Sequence, residues 1–64
     1  MDKEIISKVR EDTGHIYDMC NALLSVAGEI PGSTGKQIKF LVREIRSTNS
    51  RVDTTLFAEL QEAD

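Results

Sequence analysis

Residues 5–30 read IISKVREDTGHIYDMCNALLSVAGEI. Within them Ile5, Val9, Ile16, Met19, Leu23, Val26 and Ile30 stand three, four or seven apart, the spacing of one stripe along an α-helix. Read as heptads, one seam position holds Val9, Ile16, Leu23 and Ile30, and the other holds Ile5, Asp12, Met19 and Val26. Ile6, Cys20, Leu24 and Ala27 widen the apolar arc toward half the circumference. A helix with that much apolar surface touches more than one neighbour, as in a bundle.

The spacing predicts a first helix over about 2–29, with Asp2 and Glu4 in the first turn complementing the helix dipole. Pro31-Gly32 stops it, because the residue before proline avoids the helical region and Gly32 accepts turn geometry. Thr34-Gly35-Lys36-Gln37 matches a capping box, with Thr34 as N-cap and Gln37 reaching back. A turn over about 30–34 and a second helix over about 35–62 follow, and so short a connection favours an antiparallel neighbour. Helix 2 carries Ile38, Leu41, Val42, Ile45, Val52, Leu56, Leu60 and Ala63 on one face, in steps nearer eleven residues per three turns than seven per two. Ser47-Thr48-Asn49-Ser50 are four poor helix formers in a row, so a kink or break near 47–50 is an open alternative.

The fold class is therefore all-α: residues 1–64 form one antiparallel helical hairpin. Sixty-four residues bury only about 60% of the unfolded surface, and domains that small add disulfides, a metal or further copies of themselves. Cys20 is the one cysteine and His15 the one histidine, so neither an internal disulfide nor a four-ligand zinc site is expected. Oligomerisation is the remedy left, and the hairpin is expected to pair into a four-helix bundle. Its interface is expected to use Ile5, Val9, Ile16, Met19, Leu23, Val26, Ile45, Val52 and Leu56.

Folding about the turn brings together positions whose numbers sum to roughly 65. Cys20 then meets Ile45, Leu23 meets Val42 and Val9 meets Leu56. Asp12, Thr13 and His15 fall level with Thr48, Asn49 and Arg51, so each helix interrupts its apolar pattern at one height. A polar layer of Asp12, His15, Asn49 and Arg51 is expected there. Asp12 stands at a seam position, where a carboxylate is unfavourable unless paired. Arg51 or Asn49, from the same chain or a second copy, is the expected partner, and such buried polar groups set register and oligomer state.

Little catalytic chemistry is legible. Gly32-Ser33-Thr34-Gly35-Lys36 fails as a phosphate loop: the position that needs glycine is Ile30, and Gln37 follows the lysine where serine or threonine is required. His15 could act as a base beside Asp12 or Asp18, but it has no second histidine and no nucleophile, and a hairpin offers no cleft. Cys20 reads as a buried structural thiol. The chain is expected to be no enzyme and to need no metal or cofactor. Met1-Asp2-Lys3-Glu4 leads into no apolar run of secretory type, no stretch approaches the roughly 18 apolar residues of a membrane span, and a single cysteine fits a reducing compartment. A cytoplasmic protein with no membrane partner is the expectation.

The net charge is −3, but it is unevenly spread. Lys36, Lys39, Arg43, Arg46 and Arg51 face only Glu44 over residues 36–51, whereas Asp53, Glu59, Glu62 and Asp64 follow with no base. On a helical wheel Lys36, Lys39, Arg43 and Arg46 fall outward, with Phe40 among them. Phe57 and Tyr17 also lie off the main stripe. Arginine with aromatic residues suits a protein interface, so the expected function is a non-enzymatic interaction module that binds and modulates a partner protein through Phe40, Arg43, Arg46, Lys36 and Lys39, with Phe57 and Tyr17 secondary. The alternative is nucleic-acid or phosphorylated-ligand binding by the same basic face, against which the net charge weighs. In size and plan the chain is similar to small helical-hairpin proteins that dimerise into four-helix bundles. Very short acidic helical chains of this sort are often encoded by phages and mobile elements, so a phage or mobile-element regulator is the matching expectation. The likeness is one of architecture, and architecture does not fix function.

Overall fold

The computed structural model describes residues 2–62 as two helices, α1 (Lys3–Ala27) and α2 (Gly32–Glu62), packed on each other. The architecture is the all-α helical hairpin that the sequence predicts. It is a rod measuring 49 × 14 × 11 Å between Cα extremes. Its radius of gyration is 14.8 Å, against about 11 Å for a compact domain of this length. Its accessible surface is 4840 Å², against roughly 4100 Å² for a globule of this mass. The hairpin thus carries an excess of surface that its own two helices cannot cover.

Local sequence explains the helix ends. Asp2 is the N-cap of α1: its backbone is extended (φ −66°, ψ 129°), and its carboxylate accepts the Glu4 N–H at 2.7 Å. This satisfies one of the four amides that a helix start leaves unpaired. At the other end the Gly28 N–H donates to the Leu24 carbonyl at 3.0 Å, and the Glu29 and Ile30 N–H groups donate to Val26 and Ala27. The last two bonds span three residues where the Gly28 bond spans four, so they tighten the last turn and hand the chain to Pro31. Ile30, the last residue of the predicted stripe, therefore lies in the connection.

Helix 2 begins earlier than the capping-box reading requires. It starts at Gly32, whose φ of +79° is open to glycine, so Thr34 lies inside the helix. Gly35 has a separate reason. It is buried under the connection, and an added Cβ would run into the Ile30 carbonyl oxygen and stand 3.1 Å from that of Ala27. The returning chain crosses so closely that only a missing side chain admits it.

The packing seam repeats every seven residues. Ile6, Thr13, Cys20 and Ala27 are the buried positions of α1, and Gly35, Val42 and Asn49 those of α2, with half-buried Leu56 next in the series. Most of these side chains are small, which lets two helices approach closely. Ile6 is the largest side chain that is fully buried; it contributes about 1.5–3 kcal/mol. So thin a core leaves the stability of a lone hairpin low.

Helix 2 runs without a break through Ser47–Ser50. The polar side chains that could compete with the helical backbone have other partners or face outward. Asn49 spends its amide across the seam. Thr54 and Thr55 donate their hydroxyls back to the Ser50 and Arg51 carbonyls at 2.9 and 3.0 Å. Such local bonds occupy hydroxyls without replacing the helical ladder.

Candidate functional site

At about 100° per residue, each helix offers two flanks beside the seam. The two flanks differ sharply in chemistry, and the antiparallel fold puts like flank beside like. One face of the hairpin is apolar and open. On it Ile5, Val9, Met19, Leu23 and Val26 of α1 are 37–58% exposed, and Leu41, Ile45 and Val52 of α2 are 46–58% exposed. Ile16, half-buried, borders a shallow groove with Ile45, Thr48 and Glu44. Hydrophobic side chains scattered singly need no explanation, but a continuous patch of them does. The expected interface residues therefore lie together on one surface, alongside the seam, with Leu56 half-buried between the two helices. Of the expected pairings, Cys20 and Val42 are buried in the seam, whereas Ile45, Leu23 and Val9 stay on the open face, because Thr13, Cys20 and Ala27 occupy the inward side of α1.

The opposite face is polar and pinned across the two helices. Arg10 donates from Nε to Asp53 Oδ1 at 3.1 Å, with Nη2 3.5 Å from Oδ2. Its guanidinium also sits 4.8 Å from the centre of the Phe57 ring. The Thr13 hydroxyl lies 2.7 Å from Asp53 Oδ1 and 2.9 Å from the Arg10 carbonyl. It has one proton, and the charged carboxylate is the stronger acceptor. Asn49 donates from Nδ2 to the Thr13 carbonyl at 2.8 Å inside the seam. Hydrogen bonds from Arg10 first and Thr13 second hold the Asp53 carboxyl below its ordinary value, against a smaller upward push from burial. Among the described residues no buried side-chain polar atom lacks a hydrogen-bond partner.

A polar layer thus crosses the middle of the hairpin at the expected height, with a different membership. Asn49 belongs to it, and Thr13, Arg10 and Asp53 complete it. Asp12, His15 and Arg51 are exposed. Asp12 lies among the apolar residues of the open face, and Arg51 donates to the Thr48 hydroxyl at 3.4 Å on the outside of α2. The register signal for Thr13 and Asn49 was present in the sequence, since each lies seven residues from small or apolar seam positions. It was masked because neither residue scores as hydrophobic.

The basic set of α2 divides in two. Lys36, Phe40 and Arg43 are exposed, and Phe40, at 61%, is the most exposed of the large hydrophobic side chains. Lys39 and Arg46 are half-buried at the edge of the seam. Lys39 runs past Gly28, where an added Cβ would meet its Cε at 4.0 Å. Arg46 donates to Asn21 Oδ1 at 2.8 Å and lies 5.9 Å from the Tyr17 ring centre. Tyr17 and Phe57 are therefore platforms for arginines of the same chain. Between the two arginines, Gly14, Tyr17, Ser50, Asp53 and Thr54 line a shallow recess.

Among the described residues no group of histidine, cysteine, aspartate or glutamate is placed to hold a metal ion, and no helix is long and apolar enough to cross a membrane. Cys20 is buried in the seam as a free thiol. The chain matches no family model, no curated protein and no solved structure.

Proposed function

We propose that this chain is a non-enzymatic interaction module: two copies pair through their open apolar faces into a four-helix bundle, and the bundle presents the exposed part of the basic surface of α2 to a partner protein. The observation that supports it is the two-sided distribution of exposed residues. Eight large aliphatic side chains stay uncovered on one face, while the other face is tied by Arg10–Asp53 and Arg46–Asn21. The apolar residues together offer several hundred Å², on the order of the roughly 800 Å² that each partner in a standard interface gives up.

With that face covered, Phe40, Arg43 and Lys36 are the outward anchors, and they suit an acidic protein surface with an apolar notch for the ring. A regulatory action follows from such binding, and the buried Cys20 thiol suits the cytoplasm, where it stays reduced. The four cations Lys36, Lys39, Arg43 and Arg46 on one flank keep a second reading alive, binding of nucleic acid. That binding would weaken steeply with salt.

The test has two parts. Sedimentation equilibrium on the wild type should give a dimer. A pull-down with a Phe40→Ala/Arg43→Glu double variant, which leaves the apolar face intact, should lose a partner that the wild type retains in high salt. Salt-sensitive retention of RNA or DNA, unaffected by Phe40→Ala, would favour the second reading.

A further inference from the structure

The apolar face has a direction, and that direction selects how two copies meet. Toward the turn it is continuous: Met19, Leu23 and Val26 run beside Leu41 and Ile45. Toward the open end it is interrupted, by Asp12 on α1 and by Thr48, Thr55 and Glu59 on α2, all exposed. The cross-helix bonds of Thr13 to Asp53 and Asn49 fix the level of Asp12 at Val52. Arg51 precedes Val52 on the outer side of α2, and its guanidinium leans toward this face onto the Thr48 hydroxyl at 3.4 Å, so that Thr48, Arg51, Val52 and Thr55 line one shallow groove. Among the described residues Asp12 makes no hydrogen bond or ion pair, and it is exposed.

Two hairpins placed face to face can have their turns at the same end or at opposite ends. With turns opposed, α1 runs against α1 of the second copy, and Asp12 lands on the apolar residues around Leu23. A carboxylate closed against leucine has nothing to replace its water. With turns together, α1 runs beside α2 of the second copy at equal height. Asp12 then lies level with Val52 of the second copy, within reach of the Arg51 side chain beside it, and the apolar half covers the apolar half. Resting on the dimer reading given above, we propose that two copies of this chain pair with their turns at the same end, the Asp12 carboxylate of each copy meeting the Arg51 guanidinium of the other.

The pairing has a consequence for partner binding. Lys36, Phe40 and Arg43 of both copies come to one end of the bundle, on its two outer sides, and the acidic ends of α2 gather at the other. The basic residues point away from the interface, so their mutual repulsion across the bundle is largely screened beyond about 8 Å at physiological salt.

The turn itself reports the orientation. Ser33 is exposed in the first turn of α2, and Cys20 is buried, so Ser33→Cys takes a spin label with wild type as the control for labelling at Cys20. Turns together place the two labels within about 30 Å, given helices packed 8–10 Å apart. Turns opposed place them near the 49 Å length of the rod. Asp12→Arg and Arg51→Asp should each weaken the dimer about tenfold or more, and an equimolar mixture of the two should recover it as a heterodimer, since like charges in contact are repelled and complementary ones are not. Both residues are exposed in the hairpin, so each variant should keep the helical circular dichroism of the wild type at low temperature, with only its melting temperature lowered by the weaker association. A dimer with a label separation near the rod length would overturn the proposed orientation and leave the dimer standing. A monomer at all concentrations, or binding of the apolar face to lipid vesicles in place of a second copy, would overturn the dimer as well.

Discussion

Asn49 and Asp53 show how single polar residues fix the register of a small-residue seam. A Leu or Ala pair slides at little penalty, but the Asn49 amide reaches the Thr13 carbonyl at one alignment. Asn49→Ala should lower stability by about 1–2 kcal/mol, the usual effect of removing one partner of a buried hydrogen bond, read from urea unfolding. Asp53 makes a prediction of definite sign. Its folded pKa lies below the ordinary value of 3.8, so the contribution is complete above that value and disappears as pH falls through the lower, folded value. Thermal unfolding followed from pH 6 down to pH 2 should show this loss, and Asp53→Asn should remove it. Because Arg10 and Asp53 are each about one-third exposed (33% and 35%), solvent screening keeps the effect to about 1 kcal/mol or less.

At the scale of the element, the turn is the most constrained part of the chain. Pro31 ends one helix, Gly32 turns with a positive φ, and Gly35 lets the Ile30 carbonyl lie against α2. Gly35→Ala would raise helix propensity in an isolated peptide, yet in the hairpin it should destabilise by about 1–3 kcal/mol through overpacking against the backbone, a difference that a melting curve resolves. Both helices were legible in the sequence because the 3.6-residue stripe of Ile5 to Val26 is long and the Pro31-Gly32 stop is sharp. The start of α2 was not, since Thr34 and Gln37 fit a capping box as well as Gly32 fits a turn. The continuity of α2 through Ser47–Ser50 was also hidden. It depends on Asn49 finding a partner on the other helix, which no local propensity records.

For the whole molecule, the decisive quantity is the imbalance between a thin seam and a broad uncovered face. If a second copy covers that face, unfolding should depend on protein concentration, because association stabilises the folded form by mass action. Leu23→Glu with Ile45→Glu, both at positions half or more exposed in the hairpin, should leave a monomer of lower melting temperature that no longer rises with concentration.

The sequence by itself determined that the chain is two helices folded back at Pro31, because periodicity and helix-stop chemistry are local and strong. It also set the approximate level at which Thr13 meets Asn49, since a short turn leaves little room to slide, and the Asn49 amide on the Thr13 carbonyl picks the alignment. Only the tertiary structure decided which side of each helix faces inward. A wheel marks a wide apolar arc but does not say that small Cys20, Ala27 and Gly35 allow the closest approach. Close packing takes the small side chains inside and leaves Leu23, Val26 and Ile45 on the surface, where their burial needs another molecule.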